Sequence, residues 1–174
     1  MGRLAVPAFA ALLLLVVPAC APMSGGPGRG EKLIDVELAT LDGKTASLQE
    51  MTRGKVAVFK FGATWCEWCN RETPVFNQVA SRYPKDLLSV FQIDVDEPAA
   101  TVEAHLTRHA TSYPTLLDPQ GKAASRYNVS GIPVVIVAGP DGSILYRGYY
   151  TAFDELNRSI APAVQKLEAE RKGK

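Results

Sequence analysis

Hydrophobic and polar positions divide the chain into an apolar leader, a linker and an alternating α/β body. Leu4 to Val17 is apolar apart from Pro7, shorter than the roughly 20 residues that cross a bilayer. With Arg3 before it and small residues after it, the stretch predicts a secretory signal to be left out of the fold. Ala21 to Glu31 is rich in glycine and proline and predicts a flexible tether with nothing to bury.

Beyond the tether the period changes several times. Leu33 to Leu38 alternates, Asp42-Gly43 is a turn signal, and Thr45 to Leu48 can return, so a short hairpin is expected. Lys55 to Phe61 is a dense apolar run interrupted only by Lys60, the pattern of a strand buried on both faces. From Cys66 the pattern is helical, with Phe76, Val79 and Tyr83 on one side and a kink expected at Pro74. Leu87 to Ile93 predicts a second core strand ended by Asp94, Asp96 and Pro98, and Ala99 to Ala110 a helix. Leu116-Leu117 is extended, Asp118 to Gly121 a turn, Lys122 to Tyr127 a short helix, and Pro133 to Ala138 a strand. Pro140-Asp141-Gly142 turns the chain into a partner strand from Ile144 to Arg147. Phe153, Leu156, Ile160, Val164 and Leu167 form a final helical stripe, with a bend expected at Pro162, and no internal repeat is visible. This order predicts an α/β sandwich: a mixed central sheet with parallel inner strands and an antiparallel edge, flanked by helices and extended by the N-terminal hairpin. The first inner strand leads directly into the cysteine-bearing helix, and chemistry in such sheets gathers at the carboxyl ends of strands.

Composition narrows the class. With 47% hydrophobic and 21% charged residues the chain can build a core, and 19 basic against 18 acidic residues exclude recognition of nucleic acid or membranes by bulk charge. Three cysteines are too few for a disulfide-stapled miniprotein. Cys20 stands alone beside the leader. Val17-Pro18-Ala19-Cys20 resembles a bacterial lipobox, which implies acylation of Cys20; Ala19-Cys20-Ala21 could instead be an A-x-A cleavage site. The expected organisation is a signal peptide over 1–19, lipidated Cys20 with a tether over 20–31, and one domain over 32–174. It places the protein on the periplasmic side of a bacterial membrane. Ala21 after the cysteine resembles the pattern sorted to the outer membrane.

Cys66 and Cys69 carry the chemistry. Residues three apart on a helix share a face, so their sulfurs can close a small ring. Cys66 would sit where free N–H groups and the helix dipole favour a thiolate, and Cys69 one turn deeper, giving an attacking and a resolving sulfur. Zinc would need two further ligands. His105 and His109 lie four apart, but on a polar helix they are expected to be solvated, so no metal is assigned.

The run Phe61-Gly62-Ala63-Thr64-Trp65-Cys66-Glu67-Trp68-Cys69, followed by Glu72 and Pro74, resembles the active site of thioredoxin-fold proteins of the TlpA/ResA branch. Leu41-Asp42-Gly43-Lys44, Tyr113-Pro114-Thr115-Leu116-Leu117-Asp118 and Tyr127 to Pro133 extend the match over most of residues 33 to 150. The resemblance implies a thioredoxin-like sandwich and a membrane-anchored thiol-disulfide oxidoreductase. It would reduce client protein disulfides, be recharged by a membrane-bound thiol donor, and use no cofactor beyond the Cys66-Cys69 pair. Pro133 would be a cis-proline beside the disulfide, leaving the Ile132 backbone to pair with a client strand. Trp65 and Trp68 would belong to the docking surface. An oxidase or isomerase of the same fold is the nearest alternative. A copper-delivering relative would space its cysteines by three residues, and the proline-and-threonine frame of a peroxidatic cysteine is absent before Cys66.

Three residues depart from the resembled pattern, the first being Trp68, which stands where thioredoxin-like proteins often carry proline. Glu67 follows Cys66 and, as Thr64-x-x-Glu67, has the form of a capping box; its charge would also oppose a thiolate and make the pair more reducing. Lys60 stands where thioredoxins carry a buried acid. A lysine inside an apolar strand must snorkel to solvent, find a carboxylate or lose its proton; snorkelling is the plainer expectation, redox tuning the functional one.

Overall fold

The computed structural model of the protein describes Gly2 and residues 25–173. The expected signal segment and Cys20 therefore lie outside the described residues. The elements run β1 (Glu37–Thr40), β2 (Thr45–Ser47), α1 (Leu48–Thr52), β3 (Val56–Gly62), α2 (Glu67–Arg82), β4 (Leu88–Val95), α3 (Ala99–Leu106), β5 (Thr115–Asp118), α4 (Lys122–Arg126), β6 (Val134–Ala138), β7 (Ile144–Gly148) and α5 (Phe153–Lys172). Seven strands form one sheet in the order β2-β1-β5-β4-β3-β6-β7. The inner strands β3, β4 and β5 are parallel, and β6, β7 and the β1-β2 hairpin are antiparallel. This is the expected mixed sheet, with the hairpin added at the β5 edge.

Three elements differ from the pattern reading, each for a local reason. The first strand starts at Glu37 rather than Leu33. Asp35 accepts hydrogen bonds from Ser47 Oγ at 2.8 Å and the Gln49 N–H at 2.9 Å, so this stretch is held by the start of α1 and not by a ladder. That five-residue helix was not expected; Ser47 caps it, accepting from the Glu50 N–H. The third helix ends at Leu106, short of Ala110. His105 in its last turn is half-buried and His109, in the turn that follows the helix, is exposed, with their rings stacked 4.4 Å apart. Among the described residues no group of three His, Cys, Asp or Glu could hold a metal ion.

Strand β3 lies at the centre and is buried along its whole length. Its alternation splits the core in two. Phe59 and Phe61 point to one face, where they meet Phe91, Tyr127 and Leu48. Val56 and Val58 point to the other, under Phe76 and Val79 of α2 and Leu156 and Ile160 of α5. Lys60 shares that second face and is fully buried, so the snorkelling expectation is wrong: two long helices cover the strand and leave the stem no route to water. Both helices continue through their prolines, Pro74 and Pro162.

The part of the expected tether described here is docked. Pro27 is buried, its carbonyl accepts from Arg147 Nη1 at 3.1 Å, and the Gly30 N–H donates to Ile144 at 2.8 Å. A Cβ on Gly26 would lie 1.9 Å from the Tyr127 carbonyl oxygen, so only glycine passes there. Among the described residues no helix is long and apolar enough to cross a membrane.

Candidate active site

Strand β3 ends at Gly62 and four residues later Cys66 caps α2. Cys66 keeps an extended backbone, φ −80° and ψ 106°, and its Sγ accepts from the Cys69 N–H at 3.1 Å. The sulfur thus occupies the place a capping oxygen usually takes, next to the positive end of the helix dipole. Cys66 and Cys69 form a disulfide with an S–S distance of 2.08 Å and Cα atoms 5.2 Å apart. Both cysteines are buried, Cys66 at 6% exposure and Cys69 at 2%. The expected capping box is absent. Both carboxylate oxygens of Glu97 are instead bonded to Thr64, one by the backbone N–H and one by the hydroxyl, each at 2.6 Å. Glu67 turns outward to Arg71 at 2.5 Å.

A buried charge pair lies one turn below the disulfide. Lys60 Nζ donates to the Cys69 carbonyl at 2.8 Å, stands 3.8 Å from Glu72 Oε2 and lies over the Phe76 ring. Glu72 Oε1 accepts from the Thr151 N–H at 2.8 Å, which ties the loop before α5 to α2. Lysine and glutamate are both fully buried. Desolvation pushes the lysine down and the glutamate up, and their mutual attraction works against both shifts. Burial thus favours the neutral form of each partner and their mutual attraction the charged form.

A second carboxyl group is buried on the neighbouring strand. Asp94 pairs with Gly62 in the β3-β4 register and is inaccessible to solvent. Its Oδ2 accepts from Gln92 Nε2 at 3.3 Å and its Oδ1 has no partner. Burial, with the Glu97 carboxylate adding to it, pushes Asp94 up to about 8. Gly62 brings this polar edge under the disulfide, since a Cβ there would lie 3.4 Å from Cys69 Sγ and 3.6 Å from Gln92 Cδ.

Trp65 and Trp68 are exposed, and the Trp68 ring meets Tyr150 edge-on with centroids 5.4 Å apart. The Ile132–Pro133 peptide is cis, as the family resemblance implies, and Ile132 packs on Cys66, Cys69 and Ala63. The β3-β6 ladder begins at Phe61–Val134, so the Ile132 backbone lies just outside it.

Comparison with known proteins fits this geometry. The AhpC/TSA family model matches residues 29–147. The chain belongs to the AhpC/TSA family. Among curated proteins it is 30% identical over 115 residues to the thiol-disulfide oxidoreductase ResA of Geobacillus kaustophilus, covering 66% of each chain. The ResA of Geobacillus thermodenitrificans is 29% identical over the same share. The chain thus spans about two thirds of the length of these curated relatives. Among solved structures, a Chlorobium tepidum chain assigned as the thiol:disulfide interchange protein DsbE superposes with a TM-score of 0.73 at 24% identity, over 80% of this chain and 99% of that one. The exposed lipoprotein thioredoxin Etrx1 of Streptococcus pneumoniae gives 0.64 at 24%, over 74% and 99%. The fold is thioredoxin-like.

The structure brings Cys66, Cys69, Lys60, Trp65, Trp68, Ile132 and Pro133 together at or beneath the end of β3, with Glu67 on the exposed flank. The sequence reading missed Asp94, Glu97 and Thr151 as members of the site, and Glu72 as the partner of Lys60. Glu72 follows the motif and stands three residues after Cys69 on the same helical face, but neither signal points to Lys60.

Proposed function

We propose that the chain is an exported thiol-disulfide oxidoreductase that reduces disulfides in client proteins. The observation that carries this reading is the Cys66-Cys69 disulfide at the start of α2, with an unladdered Ile132 backbone against it. In the reduced protein the helix terminus favours a thiolate at Cys66. That thiolate attacks one sulfur of a client disulfide, forming a Cys66-client bond and releasing the other client sulfur as a thiolate. Cys69, losing its proton, then attacks Cys66. The ring disulfide forms, the second client sulfur leaves, and two electrons have passed to the client. A dithiol donor on the membrane would reduce the ring again.

Lys60 and Glu72 are the natural receivers of the Cys69 proton. Both are buried beneath the resolving cysteine and both are moved toward neutrality by burial. The ammonium of Lys60 favours a thiolate at Cys69, and Glu72 can hold the proton displaced. Glu67 is a weaker tuning charge because it is exposed and paired with Arg71. The client's segment would extend along Ile132 as an added strand while Trp65 and Trp68 contact its side chains. Cys20 as an acylated membrane anchor on the periplasmic side completes the reading; it is supported by the leader pattern and by the name of the pneumococcal lipoprotein of the same fold.

The direction of transfer is tested by equilibrating the protein with glutathione buffers and reading the fraction oxidised. A potential near or below that of thioredoxin, about −270 mV, supports a reductase; one near −120 mV, as in strong periplasmic oxidants, would assign the same fold to oxidation.

A further inference from the structure

Four large hydrophobic side chains stand exposed among the described residues: Trp65 at 70%, Trp68 at 55%, Tyr149 at 67% and Tyr150 at 43%. They do not scatter. Trp65 adjoins Cys66, Trp68 lies inside the Cys66-Cys69 ring, and Tyr150 reaches the Trp68 ring from the β7-α5 loop, with Tyr149 beside it in the chain. The loop is held there from below. Glu72 accepts the Thr151 N–H, the Thr151 hydroxyl donates to the Tyr149 carbonyl, and Tyr146 bonds that same hydroxyl at 2.9 Å. The buried glutamate therefore has a second consequence, since it pins the segment that carries both tyrosines to the helix that carries both cysteines.

Exposed aromatic rings cost solvation and are the side chains that most often anchor interfaces. The charges bordering them are spent on each other: Glu67 pairs with Arg71, and the Arg71 guanidinium lies 5.0 Å over the Trp68 ring. What remains beside the Cys66-Cys69 ring is the uncharged Trp68–Tyr150 pair, with Trp65 exposed next to Cys66 and Tyr149 exposed next to Tyr150 in the chain. A client segment that joins Cys66 while paired along the Ile132 backbone brings the residues flanking its own cysteine next to these rings.

We infer that Tyr149 and Tyr150, with Trp65 and Trp68, select clients whose cysteine is flanked by aromatic or large aliphatic side chains in an extended segment. This rests on the exchange reading above and adds to it a preference set by side chains outside the cysteine motif. A flanking ring that reaches Tyr150 and Trp68 gains an edge or stacked contact in the mixed disulfide, a contact a serine cannot make.

The test uses reduced protein and two symmetrical peptide disulfides, one with phenylalanine on each side of its cysteine and one with serine. Stopped-flow tryptophan fluorescence gives the second-order rate for each. The expected wild-type preference for the aromatic peptide is on the order of tenfold, the factor that about 1.4 kcal/mol of ring contact supplies. It should collapse toward unity in the double variant Tyr149→Ser/Tyr150→Ser and survive in Tyr150→Phe, which keeps the ring. An equal rate for both peptides in the wild type, or a preference unchanged in the double variant, would overturn the proposal while leaving thiol-disulfide exchange intact. No reaction with either peptide would overturn both.

Discussion

Asp94 offers a measurement of how far burial governs this site. It is fully shielded from solvent and lies within the sheet beneath the disulfide, and its carboxyl is pushed from an ordinary 3.8 up to about 8. The folded state then keeps a proton that the unfolded chain gives up above pH 3.8, so stability falls as pH rises through this window and levels off above about 8. Each pH unit inside the window is worth about 1.4 kcal/mol, so between pH 5 and pH 8 the loss from this group approaches about 4 kcal/mol. Asp94→Asn is nearly isosteric with the neutral acid and retains an oxygen for Gln92 Nε2, but it does not titrate. Glu72, also raised by burial, acts in the same direction but is present in both proteins and cancels from the difference. In denaturant titrations at pH 5 and pH 8 the two proteins should be similar at pH 5, and the variant should be more stable by up to about 4 kcal/mol at pH 8. In thermal scans this corresponds to a midpoint about 10 °C higher. A difference between the two proteins that does not change with pH, or a variant less stable at pH 8, would refute the assignment of a buried neutral acid.

Three further outcomes are expected. Lys60→Met should slow the resolving step of exchange and shift the redox potential; it should also cost about 3 kcal/mol of stability at alkaline pH, where Glu72 is left charged and unpaired, and less at pH 5, where Glu72 holds a proton. Unchanged exchange kinetics and potential would remove Lys60 from the mechanism. Gly26→Ala should release residues 25–31 from the Tyr127 carbonyl and expose them to proteolysis without unfolding the domain, and wild-type resistance would show that the docked path is not occupied. Mass spectrometry of the mature N-terminus should find an acylated Cys20, whereas an unmodified start at Pro22 would mean that cleavage follows Ala19-Cys20-Ala21.

Much of the site was readable because it is built from consecutive residues. The apolar run into Gly62 and the following Cys66 and Cys69 announce a buried strand feeding a helix, and Pro133 falls where the matching motif requires it. Lys60 shows where such reading stops. Strand period assigns it a face, but whether it can reach water depends on α2 and α5, and its partner Glu72 arrives from the next element. Thr64 makes the same point in reverse: Glu67 was the local partner at capping distance, yet the more distant Glu97 presents two oxygens to both donors of Thr64. Tyr149 and Tyr150 lie in a connecting loop, where no period marks a residue's neighbours, and α1 is too short to carry a helical stripe.

The central claim is that Cys66 attacks and Cys69 resolves. Its most direct measurement is covalent trapping in the native envelope, with Cys66→Ala and Cys69→Ala compared on non-reducing gels followed by mass spectrometry of the trapped species. Cys69→Ala should accumulate client proteins disulfide-bonded to Cys66, because the resolving sulfur is gone, and Cys66→Ala should trap none. Clients accumulating on Cys69 in Cys66→Ala, with none in Cys69→Ala, would contradict it.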